Sequence, residues 1–165
     1  MIAGSDGQDD QDARWTMLAA FALSSAPGNE RRVMERVAQA TQVLKLSPQQ
    51  MDRLNTAVSE AALNAIEHGN QYQASLPVEV DVAVSQSALR VTITDRGASG
   101  TYATAEAPDL QAKLAGAQSP RGWGLFLIKS MVDSMRIVES PNQHTIELML
   151  NLDEMSQGEN DADGA

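Results

Sequence analysis

A chain of 165 residues has the length of one domain, and a hydrophobic content of 42% excludes general disorder. Aromatics are only 4%, so a core must rest on Leu, Ile, Val, Met and Ala; the absence of cysteine excludes disulfides, Cys-based zinc sites and thiol nucleophiles. A formal charge of −10 disfavours binding to nucleic acid or anionic membranes and suits a basic protein partner.

The ends, 1–13 and 153–165, are polar, acidic and Gly-containing and read as disordered tails flanking a domain over 14–152. The stretch WTMLAAFALSSA has the apolarity of a signal-peptide core. Acidic rather than basic residues precede it, however, so the chain is expected in the cytoplasm. Within it apolar residues recur at every second position, Trp15, Met17, Ala19, Phe21 and Leu23, the period of a half-buried strand, until Pro27-Gly28 breaks it.

A helical pattern follows from about Asn29, a plausible N-cap, to Lys45, with Val33, Val37, Ala40 and Leu44 on one face. Ser47-Pro48 opens a second helix, expected to stop near Gly69-Asn70. Two strands come next: Val78, Val80, Val82 and Val84 alternate, then Leu89, Val91 and Ile93 lead to Asp95, with a turn at Ser85–Ser87. From Arg96 to Arg121 the chain is rich in Gly, Ala, Ser and Pro, with a short helix read around 109–115. A further helix from about Gly122 carries Leu125, Ile128, Met131 and Val132, and strands are predicted near 134–139 and 145–151. This order predicts an α/β (α+β) two-layer sandwich, its mixed or mostly antiparallel sheet covered by helices on one face.

Three groups of residues could carry chemistry. On the second helix Glu60, Asn64 and Glu67 fall within roughly 60° of arc, opposite Leu54, Val58, Ala61 and Ala65. A carboxylate there can accept a proton and an amide oxygen can ligate magnesium; a solvated polar face has the same pattern. Asp95-Arg96-Gly97 ends a strand with a carboxylate able to accept from an exocyclic amine, though an ordinary turn reads alike. Arg121-Gly122-Trp123-Gly124-Leu125 starts a helix whose free N–H groups attract anions; it matches neither a Walker P-loop nor GxGxxG. Trp123 is read as packing on the sheet, with a mobile lid residue as the alternative. His68 reads as surface or capping, and His144 as a turn residue.

The order and spacing of these groups resemble the GHKL (histidine-kinase-like) ATPase superfamily. SEAALNAIEHGN looks like its N box, TDRG its first glycine box and RGWGLFLIKSMVD its second. GLFLIKSMVDSM and PDLQAKLAGAQSPRG are similar to the compact anti-sigma factor serine/threonine kinases. By that resemblance Glu60 is the catalytic base or orienting carboxylate, and Asn64 binds Mg2+ bridging the phosphates of ATP. Asp95 takes the adenine amine with Gly97 under the base. Gly122, Gly124 and Arg121 meet the phosphates with Leu125 beside them, Thr145 lies near the adenine, and 98–120 is the ATP lid. Glu67 matches no essential family position and is kept as a nucleotide-site residue only. The chain departs from the family at Gly100 and Thr101, where members often carry an aromatic and an acidic residue.

The implied activity is phosphorylation of a STAS-type anti-sigma-factor antagonist by a homodimer that sequesters a sigma factor. The alternatives are a nucleotide-gated binding regulator without kinase activity, and a histidine kinase catalytic domain acting in trans.

Overall fold

The computed structural model describes residues 14–97 and 122–152, with backbone alone at 122 and 123. The segments read as tails, the lid expected over 98–120 with its predicted short helix, and Arg121 lie outside the described residues. A five-stranded sheet carries three helices on one face, as expected. Its strands are β1 (Thr16–Ser24), β2 (Pro77–Val84), β3 (Ala88–Asp95), β4 (Ser134–Ser140) and β5 (Gln143–Asn151). They lie in the order β1-β2-β3-β5-β4, and every pairing is antiparallel. The helices are α1 (Asn29–Ala40), α2 (Pro48–Asn64) and α3 (Gly122–Met131).

Strand periodicity sets the layers. Val78, Val80 and Val82 of β2, Leu89, Val91 and Ile93 of β3, and Ile146, Leu148 and Leu150 of β5 are buried against the helices. Val33 and Val37 of α1, and Leu54, Val58 and Ala61 of α2, meet them from the other side. Small residues at 57, 61, 62 and 65 let α2 lie close in the middle of this layer.

The predicted stripe of β1 does not run unbroken. Residues shift register between Met17 and Ala19, with Met17 opposite Ala83 and Ala19 opposite Val82. This bulge inserts Leu18 and turns Met17 to the outer face, where it is 56% exposed. Trp15 lies on that outer side, with the Arg90 guanidinium 4.2 Å from its ring centroid. Ala19, Phe21 and Leu23 keep the inner face.

Helix ends also differ from expectation in detail. The N-cap of α1 is Gly28, at φ 92, while the Asn29 side chain donates back to the Ser24 carbonyl at 2.8 Å. After Ala40 the chain tightens into a 3₁₀ turn, Gln42–Leu44, and Lys45 closes it in the left-handed region. The start of α2 is as predicted: the Ser47 hydroxyl accepts from the Gln50 N–H and the Gln50 side chain accepts from the Ser47 N–H, a full capping box before Pro48.

Candidate functional site

The site is built on the end of α2. Regular α-helix stops at Asn64, and Ala65–Gly69 continue as a π-turn in which the Asn70 N–H bonds to the Ala65 carbonyl at 2.8 Å. The Tyr72 N–H then returns to the Ile66 carbonyl, with Gln71 and Tyr72 both left-handed. One extra residue in the turn shifts everything after Asn64. The 100° wheel that aligned Glu67 with Glu60 and Asn64 therefore ends there, and Glu67 sits half-buried in the π-turn beside His68.

Glu60 and Asn64 keep their predicted relation on one side of α2, and α3 brings its glycine-rich start to them. A Cβ on Gly124 would lie 3.3 Å from both Asn64 amide atoms and 3.5 Å from Glu60 Oε2. The two helices run antiparallel, and Arg53 fixes their register: its Nε donates to the Met131 carbonyl at 2.9 Å and its guanidinium meets Asp133 at 3.6 Å. Seven residues, or about 10 Å of helix, separate Arg53 from Glu60 and Met131 from Gly124, so a clamp at one end sets the approach at the other. Asn64 is 6% exposed and its Nδ2 is buried with no hydrogen-bond partner among the described residues. This unspent N–H donor beside a helix N-terminus fits phosphate oxygens, and the oxygens of the Asn64 amide and the Glu60 carboxylate are of the kind that a hard cation takes.

The second half of the site surrounds Asp95, the last residue of β3 and fully buried. Its Oδ1 accepts from the Gly97 N–H at 2.8 Å and from His144 Nδ1 at 2.9 Å. Two glycines make this arrangement possible. A Cβ on Gly69 would overlap the Asp95 carboxyl carbon and both its oxygens, and a Cβ on Gly97 would overlap the Gly69 carbonyl. The π-turn and the first glycine box thus pack backbone against backbone. Asn70 locks the junction: its Oδ1 accepts from the Arg96 N–H at 2.7 Å while its Nδ2 donates to Ser25 Oγ at 2.8 Å and the Pro77 carbonyl at 3.0 Å.

Three sequence expectations differ from the structure here. Thr145 is not on the site side. It pairs with Thr94, Oγ1 to Oγ1 at 3.0 Å, on the outer face of the sheet, because neighbouring strand residues point oppositely. His144, read from sequence as a turn residue, takes the inward position opposite Asp95 and is fully buried. Leu125 is 2% exposed in the core, so its side chain packs rather than lining the site. Asn70 was legible only as a helix stop. A signal for His144 did exist: β3 ends its inward alternation at Asp95, and an antiparallel neighbour must supply the facing residue.

A model of the histidine kinase-like ATPase domain matches residues 23–150. The chain belongs to this family. Membership implies a nucleotide site. The anti-sigma F factor of Oceanobacillus iheyensis is 26% identical over 127 residues, covering 76% of this chain and 86% of that protein. The anti-sigma F factor of Halalkalibacterium halodurans is 27% identical over 121 residues, 72% of this chain and 82% of its own length.

Solved structures share the histidine kinase-like fold at lower identity. The structure of the RsbU and RsbW domains of a Mycobacterium tuberculosis protein superposes with a TM-score of 0.58 at 19% identity, over 80% of this chain and 31% of that longer one. A chain of the SiaB–SiaC complex from Pseudomonas aeruginosa gives a TM-score of 0.57 at 13% identity, over 81% of this chain and 89% of that one. Among the described residues no helix is long and apolar enough to cross a membrane.

Proposed function

We propose that this chain is a cytoplasmic ATP-binding regulator of the anti-sigma type. It binds a sigma factor and uses ATP to phosphorylate a serine or threonine on a STAS-type antagonist protein, acting as a homodimer. The observation that carries the reading is the meeting of Glu60 and Asn64 with the glycine-rich start of α3, one π-turn away from a buried strand-end carboxylate. The named relatives support it, both being anti-sigma F factors matched over most of their length.

Each residue then has a part. Asp95 accepts a hydrogen bond from the adenine amine with Gly97 beneath the base, and the glycine pair 69 and 97 lets the π-turn pack against that carboxylate. N–H groups at the start of α3, at Gly122 and Gly124, would meet the phosphates, and Arg121, next before them in the chain, would add a positive charge. Asn64 would hold Mg2+, which supplies charge neutralisation on the phosphates when bound. Glu60, half-buried beside Asn64, orients the attacking hydroxyl and takes its proton as the phosphoryl group transfers. Catalysis is then mainly positioning and electrostatics, and a site set on the rigid end of a buried helix suits it.

The test uses the full chain with ATP, ADP and magnesium. Glu60→Ala should bind ATP within about threefold of wild type yet lose phosphoryl transfer by ~100-fold or more, while Asp95→Asn should lose binding itself. Undiminished transfer by the Glu60 variant would remove the assigned role. Nucleotide-dependent partner binding with no transfer by wild type would favour a gated binding regulator, the reading that the departure at Gly100 and Thr101 motivates.

A further inference from the structure

Asp95 is held by two donors of different kinds. The Gly97 N–H lies two residues along the same chain and turns with Asp95, whereas His144 belongs to β5, forty-nine positions away, and is fixed by the sheet ladder. Both deliver a proton to the same oxygen, Oδ1. A carboxylate oxygen can only accept, so in this pair the imidazole is the donor and carries its proton on Nδ1. Gly69 closes a third side with its Cα, so the carboxyl group has little freedom to rotate about its own axis. Of the three constraints, His144 alone ties Asp95 across the sheet.

We propose that His144 is a positioning residue for purine recognition: it sets the plane of the Asp95 carboxylate so that its acceptor face meets a 6-amino rather than a 6-oxo purine. This rests on the nucleotide reading given above and assigns within it the residue that sets base specificity. A carboxylate fixed as an acceptor rewards the exocyclic N–H of adenine and opposes the carbonyl of hypoxanthine; one free to swing loses that contrast. The Thr145 hydroxyl, on the opposite face, takes no part.

The experiment titrates ADP and inosine diphosphate into wild type, His144→Leu and His144→Asn by calorimetry, with thermal unfolding of each apo protein alongside. Leucine fills the space without a donor; the asparagine amide restores one near Nδ1. The expected result is a loss of ADP affinity of roughly tenfold or more in His144→Leu, little change for inosine diphosphate, and recovery to within about threefold in His144→Asn.

Wild-type ADP affinity and wild-type base preference in a folded His144→Leu would overturn the proposal while leaving the nucleotide site standing. Equal loss in both variants would also overturn it, since that marks a packing role. Failure of wild type to bind either nucleotide would refute the nucleotide reading and this inference with it. Should His144→Leu not fold, long-range proton–nitrogen spectra of wild type decide, with His68→Gln used for assignment. The His144 ring should be Nδ1-protonated and should shift with ADP but not with inosine diphosphate; a ring signal indifferent to ADP overturns the proposal.

Discussion

Gly69→Ala separates steric support of Asp95 from ordinary helix preference, because the two effects have opposite signs. In an open helical position the added methyl would stabilise by about 0.8–1 kcal/mol. Here it would overlap the Asp95 carboxyl carbon and oxygens, with Oδ1 at 2.6 Å. That carboxyl cannot step aside freely, since Gly97 and His144 hold it. Overpacking of a filled interior costs about 1–3 kcal/mol, and breaking a hydrogen bond to a charged group adds about 1.5–3 kcal/mol. The propensity gain offsets part of this, leaving a net loss of roughly 2–4 kcal/mol and a fall in melting temperature of about 5–15 °C. Thermal unfolding by circular dichroism measures the stability, and calorimetric titration with ADP should find binding lost.

The control is the same substitution in an Asp95→Ala background, which removes the three atoms nearest to the methyl. There Gly69→Ala should be neutral or stabilising, so the double-mutant cycle should return a coupling of about 2 kcal/mol or more. A Gly69→Ala protein that melts at or above wild type and binds ADP normally would refute the packing argument. A cost that persists without Asp95 would place the clash elsewhere.

Asn64→Ala should leave ADP binding without metal close to wild type but abolish the added affinity that magnesium confers; titration with and without the cation checks this. Its effect on stability should stay within about 1 kcal/mol, because Nδ2 has no protein partner among the described residues to lose. Asn70→Ala should do the reverse. It would strand the Arg96 N–H and remove ties to Ser25 and Pro77, costing roughly 2–4 kcal/mol by chemical denaturation and loosening the first glycine box with it.

Much of the site was legible because its signals are local. Glu60 and Asn64 are four apart on one helix, the capping box at Ser47–Gln50 fixes where that helix starts, and Asp95 closes a run of alternating apolar residues. Periodicity of this kind survives folding unchanged wherever the backbone stays regular. The strand pairs of β2 with β3 and β4 with β5, joined by short turns, follow from the same signals.

What only the tertiary structure decided lies where regularity breaks or where distant strands choose a register. The bulge at Met17–Ala19 moved two large side chains to the outer face, and the π-turn after Asn64 took Glu67 off the helical wheel while laying Gly69 against Asp95. That His144 meets Asp95 depends on the pairing of β3 with β5, segments about fifty residues apart. A strand has a side-chain period of two, so the alternation of Ile146 and Leu148 with Glu147 already puts His144 on the inner face, but only the pairing of β5 with β3 sets it opposite Asp95. Composition and spacing supplied the chemical groups; the packing of α2, β3 and β5 selected which of them share one buried carboxylate.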